Sequence, residues 1–244
     1  MHICHEMERQ DKETGNVLPG FVSQPIEVVE DMLKSTIQIW ETTESCKRLR
    51  TILTAAAKNN DNLRDISKIV GFAFGDISSE RKSDSALAPP RSYFQHALLL
   101  TLRDVLLQIK GEENSNDSTD KLRCFVQDPS YQDVDDQVLK KSGITILEDP
   151  DGFLETDDST AVLSFAPNVP VRQIVCDIAR PALIIWDTVK PEKKTDIVTT
   201  DPDSNRLREM VNDSYDMFEF QDYERRFGNV AIYIRRPSAP AAAN

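Results

Sequence analysis

Residues 160–187 read TAVLSFAPNVPVRQIVCDIARPALIIWD, and the succession of patterns inside this stretch decides the fold class. Ala161 to Phe165 is a short apolar run closed by Pro167-Asn168, the form of a buried strand. Val171 to Ala179 carries apolar residues at helical spacing. Ala182 to Trp186 is a second apolar run and ends at Asp187. Two continuous apolar strands separated by a helix cannot form a tight hairpin. They read as parallel neighbours in a sheet covered on both faces.

The same unit recurs upstream. Lys68 to Gly75 is a strand ended by glycine, and a long loop rich in Ser, Asp and Pro leads to a helix from Arg91 to Lys110. That helix is apolar over most of its circumference (Phe94, Leu98, Leu102, Val105, Leu106, Ile109), which predicts deep burial. After the polar surface loop Gly111 to Asp120 come a strand at Leu122 to Gln127, a helix at Val134 to Lys141 and a short strand at Ile144 to Leu147. Ahead of these units, Ile26, Val29, Leu33, Ile37 and Trp40 mark one helix, and Cys46, Leu49, Leu53 and Ala56 a second. Pro25 suits the first turn of the first helix, where no amide donor is needed. The chain closes with a helix near Asn205 to Asn212 and two strands, Phe218 to Tyr223 and Val230 to Ile234, joined at Arg226-Phe-Gly-Asn. The expected fold is α/β, a Rossmann-like doubly wound and mostly parallel sheet with an N-terminal helical hairpin and a C-terminal antiparallel strand pair. One domain spans 25–235, with a mobile segment 1–24 before it and a disordered tail 236–244 after it.

Hydrophobic residues make up 39% of the 244 and charged residues 29%, the composition of a folded domain with polar loops. The formal net charge of −12 repels phosphate backbones and anionic lipid, so broad nucleic-acid binding is not expected. No run approaches the roughly 20 apolar residues of a membrane helix, and MHICHEMERQ has no apolar core of a secretory signal. Cys4, Cys46, Cys124 and Cys176 lie far apart and suggest no disulfide framework, which suits the cytoplasm or the nucleus.

In open α/β sheets ligands bind beyond the carboxyl ends of the strands, near the point where strand order reverses. Here those ends carry Gly75-Asp76, Asp128-Pro129, Pro167-Asn168 and Asp187-Thr188, so Gly75, Asp76, Asp128, Asn168 and Asp187 are the candidate ligand-binding residues. Asp128 either accepts hydrogen bonds from a sugar, as the acidic residue of nucleotide-binding folds does, or starts a turn and caps the next segment. Gly71-x-x-x-Gly75 is not the phosphate-binding fingerprint, which argues against NAD or FAD. The glycine-rich motif of methyltransferases is absent too, although the terminal hairpin would suit that fold. No cofactor is assigned. His2, Cys4 and His5 bring together metal-ligand types without a second pair nearby, so no metal site is expected. His96, in the helix Arg91 to Lys110, is either a general base or ligand, which needs a polar partner, or a core histidine with its nitrogens satisfied, and the second reading is preferred.

Three blocks taken together carry a resemblance: RSYFQHALLLTLRDVL (Arg91 to Leu106), FVQDPSYQDVDDQVLKKSGITIL (Phe125 to Leu147) and SFAPNVPVRQIVCDIARPALIIWDTV (Ser164 to Val189). In this order and spacing they resemble the sensitivity-to-red-light-reduced family in its fungal form. Members outside fungi carry proline-histidine-cysteine after the fourth strand and glycine-asparagine after the fifth. This chain has Ala166-Pro167-Asn168 and Trp186-Asp187 there. The resemblance implies regulation: light and circadian signalling in plants, haem metabolism in animals, cytoskeletal or stress phenotypes in yeast. Two readings follow. One is a regulatory or small-ligand-binding protein without classical catalysis, its ligand a small molecule or nucleoside, with protein partners left open. The other is a transferase of fungal specialised metabolism that draws on a nucleoside-bearing donor, either S-adenosylmethionine or an aminoacyl-tRNA. The Asp-Asp-x-x-Glu signature associated with arginine-dependent cyclodipeptide synthases is not met at Asp135-Asp136 or at Asp157-Asp158.

Overall fold

Alternation of apolar runs and helices produces seven strands in one sheet: β1 (Lys68–Phe72), β2 (Arg123–Gln127), β3 (Ile144–Ile146), β4 (Thr160–Ser164), β5 (Leu183–Asp187), β6 (Tyr215–Glu219) and β7 (Val230–Arg235). The computed structural model describes residues 22–79, 89–111, 122–191, 200–223 and 225–237. Strand order is β3-β2-β1-β4-β5-β7-β6. The first five run parallel to one another, while β7 runs antiparallel to both β5 and β6. The chain winds outward from β1 through β2 to β3, then returns to the other side of β1 with β4. The strand order therefore reverses between β1 and β4, the place where open α/β sheets bind their ligands.

Successive strand residues face opposite sides, so each strand feeds two cores. Ile69, Ala161, Leu163, Leu183 and Ile185 pack on the side of α1 (Ile26–Thr42), α2 (Glu44–Ala56), α3 (Arg91–Lys110) and α4 (Asp133–Lys141). Val70, Phe72, Val162, Ile184 and Trp186 face the short α5 (Asp151–Leu154), α6 (Val171–Ile178) and α7 (Asn205–Ser214). The N-terminal hairpin belongs to the first core. Val29, Leu33, Trp40, Leu49 and Leu53 are buried, and Trp40 Nε1 donates to Thr101 Oγ1 of α3 at 3.0 Å. Just ahead of α1, the Gln24 amide donates to Ser78 O at 2.8 Å and Ser23 bridges to Ser79, which ties the entry of the chain to the turn after β1.

The terminal strand pair is present, but its first strand starts earlier than the expected Phe218 to Tyr223. α7 runs directly into β6: the Tyr215 amide still bonds Val211 O while its backbone has become extended. Burial of the Tyr215 ring and the bond from its hydroxyl to Pro181 O (2.8 Å) draw this residue into the sheet. Phe220 instead packs edge-on against Phe227. The connection to β7 is organised by Asp222, whose carboxylate accepts the amides of Arg226, Phe227 and Gly228 at 2.9, 2.7 and 3.0 Å.

Candidate functional site

After β1 the backbone turns sharply, with left-handed φ values at Ala73 (60°) and Gly75 (71°). The turn folds the Phe74 ring back over Gly71, where a Cβ would lie 2.6 Å from the ring carbon Cζ. Any side chain at 71 would have to displace the Phe74 ring. Phe74 then lies edge-on to His96 (5.2 Å between centroids) and tilted against Phe165 (5.5 Å), which itself meets Phe227 at 5.3 Å. Aromatic rings thus fill the ground between β1 and β4 on the α3 side.

The turn exposes five successive amides, the arrangement that elsewhere cradles a phosphate. Here the protein supplies the acceptors. The Gly75 amide donates to Asp128 Oδ2 (2.8 Å), Asp76 to Ser130 Oγ (3.0 Å), and Ile77 and Ser78 to Asp135 Oδ1 (2.9 and 2.8 Å). Ser79 donates to Asp76 Oδ2 at 2.8 Å. Asp128 Oδ1 also takes the Ser130 amide and hydroxyl (2.9 and 2.6 Å), so both of its oxygens are engaged within the protein. Asp135, fully buried, accepts in addition from Ser78 Oγ (2.9 Å) and the Gln132 amide (2.7 Å). Burial pushes the Asp135 carboxyl pKa upward against the pull of these donors.

The start of α3 closes over the same turn. Tyr93 OH donates to Ile77 O at 2.7 Å, and a Cβ on Gly75 would come within 4.0 Å of Ser92 Cβ. Pro90 precedes the helix and supplies no side-chain cap. Ser92 and Gln95, one turn apart on one helix face, are 4% and 7% exposed. Among the described residues neither Ser92 Oγ nor Gln95 Oε1 has a hydrogen-bond partner. His96 on this face is fully bonded. The Ser92 carbonyl can only accept, so Nδ1 carries the proton at 2.7 Å and Nε2 accepts from Tyr131 OH at 2.8 Å. Burial pushes the His96 pKa down to about 4, against the opposing influence of the Ser92 carbonyl, Asp128 and Asp76, which fixes the imidazole as neutral.

Of the strand-end residues, Gly75, Asp76 and Asp128 therefore meet in one hydrogen-bonded junction. Asn168 is exposed and Asp187 half-buried, and among the described residues neither bonds to that junction. Asp187 belongs to a second junction around Arg172, whose guanidinium is buried. Arg172 Nε meets Asp201 Oδ2 at 3.2 Å and Nη1 meets Asp203 Oδ1 at 2.8 Å, while Nη2 bonds Asp201 O. The Arg172 amide also donates to Asp201 Oδ2, at 2.9 Å. Burial raises the Asp187 carboxyl pKa, and Arg172 opposes the shift. Two surface grooves, of about 260 and 180 Å³, lie instead around β6 and β7 and include none of the five expected residues. Residues 80–88 and 192–199, which continue from the ends of β1 and β5, and the His2, Cys4, His5 set lie outside the described residues, as do 112–121 and 238–244. No group of three or more metal-ligating side chains occurs among the described residues.

Ser92, Gln95, Ser130, Asp135 and Arg172 escaped the reading of the sequence. Asp135 was marked by its place three residues after Gln132 at a helix start, the position from which an acidic side chain reaches back to a cap amide. Ser92 and Gln95 were marked only as polar residues on a helix otherwise apolar nearly all round. No curated protein matches the chain. The SRR1 domain matches residues 32–234, a span that runs from α1 to β7 and holds both junctions. With most of its length inside that match, the chain belongs to the SRR1-domain family.

Proposed function

We propose that this SRR1-domain protein is a regulatory protein of the cytoplasm or nucleus that senses a small uncharged ligand, a nucleoside or similar molecule, at the carboxyl ends of β1 and β4. The observation that carries the reading is a pair of buried oxygens without partners among the described residues, Ser92 Oγ beside the Gly75 turn and Gln95 Oε1 one helical turn further on. Buried polar atoms without partners are few in native proteins and cost free energy, so two on one helix face mark a place kept for something other than stability. Gln95 Oε1 only accepts, which asks for an N–H or O–H donor. Asp76, Asp128 and Asp135 surround the turn with negative charge, which disfavours phosphate. In this reading Asp76 and Asn168 border the ligand and Asp128 holds the turn in place. The transferase reading gains nothing from the turn amides, since Asp128, Ser130 and Asp135 take the contacts a phosphate would need.

Gln95→Met tests the proposal. Removing a buried carbonyl oxygen that has no partner among the described residues leaves the thermal midpoint unchanged or higher, because its burial is unfavourable. The same change abolishes the midpoint rise that millimolar adenosine gives the unaltered protein, while adenosine triphosphate gives no rise in either. A fall of several degrees in Gln95→Met without ligand makes Gln95 a structural residue and ends the proposal.

A further inference from the structure

We infer that the free edge of β6 is a docking site for a basic, extended segment of another protein, which adds to the sheet as an eighth strand. Among the described residues nothing pairs with the outer side of β3 or β6, the two edges of the sheet. β3 offers three residues, whereas β6 offers five and contains no proline. The ladder fixes which β6 groups point outward. The Arg236 amide donates to Ser214 O at 2.9 Å, and the pairs Asp216–Ile234 and Phe218–Ile232 follow at two-residue steps. Bonded positions alternate in an antiparallel pair, so the N–H and C=O of Met217 and Glu219 face away from β7. Tyr215 is not free: its amide bonds Val211 O and its carbonyl accepts Arg236 Nη2 at 2.6 Å. The available edge therefore begins at Met217, whose side chain is 56% exposed.

Both sheet faces beside this edge are concave. The groove of about 260 Å³ lies on the face of Val211, Tyr215 and Met217, and that of about 180 Å³ on the face of Ala56, Phe218 and Ile234. A strand laid along Met217 to Glu219 sends alternate side chains to the two faces, one groove for each set. Charge selects the partner. Asp216 and Glu219 on β6 and Asp213 at the end of α7 are exposed, and the nearby Arg236 is engaged by Asp216 at 2.9 Å. A second copy of this chain would bring the same acidic row and a further net charge of −12, so the fitting occupant carries Lys or Arg at alternate positions.

The test uses the full chain and a fluorescent peptide, Lys-Val-Lys-Val-Lys with blocked termini, followed by anisotropy. Saturable binding is expected, with slowed amide exchange at Met217 and Glu219. Met217→Pro removes an outward N–H and no bond to β7, so it weakens binding about tenfold or more with little change in midpoint. Should proline disturb the fold, Glu219→Lys decides alone by lowering affinity about tenfold through charge. Equal binding to the unaltered chain and to Glu219→Lys, or no binding at all, overturns the inference. So does a dimer of the free chain that Met217→Pro dissociates, since the occupant is then a second copy.

Discussion

The ends of β1 and β5 both bury carboxylates, yet they satisfy them differently. At β1, Asp128 and Asp135 are met by backbone amides and hydroxyls and, among the described residues, by no cation within hydrogen-bond reach. At β5, Asp201 and Asp203 are met by one buried guanidinium. Amide-bound carboxylates shape a turn, since each bond fixes a local backbone direction. An arginine-bound pair joins distant segments: it fastens residues 201–203, beyond the end of β5, to the first turn of α6. The difference predicts an order of sensitivity, because losing one of several neutral donors leaves the rest in place, whereas losing the one cation that meets Asp201 among the described residues leaves a buried charge without a counter-charge.

Arg172→Ala is accordingly the most damaging of the single changes considered. With Asp201, 5% exposed in the unaltered protein, deprived of its counter-charge, the loss is roughly 3–5 kcal/mol, read as a fall in the urea midpoint. Replacing both partners, Arg172→Met with Asp201→Leu, recovers much of it, because no charge then remains to be solvated. A loss for Arg172→Ala no greater than that for a change at Asp128 would break the contrast between the two ends.

The β1 end instead responds to pH through His96. Its folded pKa of about 4 lies below the ordinary 6.5, so between these values the unfolded chain binds a proton that the folded chain refuses. Stability is therefore full above about pH 6.5 and falls as pH drops, by about 3 kcal/mol on approaching pH 4. His96→Gln cannot titrate, so the part of the acid limb that it removes from the stability–pH curve belongs to this residue. Parallel curves for the two proteins between pH 6.5 and 4 would show that His96 charges freely in the fold.

These two junctions also show how far the sequence can be read. The strands and α3 were legible because burial on all sides leaves uninterrupted apolar runs, and Arg91 to Lys110 emerges with the expected ends. β6 was not, because its residues Tyr215–Glu219 are mostly exposed and its pattern is set by one buried tyrosine. Gly75, Asp76 and Asp128 were legible as strand ends, since topology alone brings the ends of neighbouring parallel strands together. Their bonding was not. Gly75 and Asp128 are 53 positions apart and Arg172 and Asp201 29, and nothing local in either segment names the other. Arg172 in particular looks like any arginine on a helix until its burial is known.

The smallest of these effects separates the two meanings of Asp128. The side chain receives three donors, the Gly75 amide at one oxygen and the Ser130 amide and hydroxyl at the other. Asp128→Asn keeps size and shape but turns one oxygen into an NH₂. The remaining oxygen stays with Ser130, where it serves two donors, and the new NH₂ then points at the Gly75 amide, donor against donor. The loss is that of one hydrogen bond to a partly buried group, roughly 1–3 kcal/mol, and it appears as a lower melting midpoint. Because the Gly75 turn supports the start of α3, ligand affinity drops only as far as the turn loosens, and a high-salt or low-temperature measurement that restores the turn restores binding. Should Asp128→Asn leave the midpoint untouched and remove binding by about tenfold or more, the carboxylate acts on the ligand directly, and the β1 end is a recognition surface rather than a self-filled cradle.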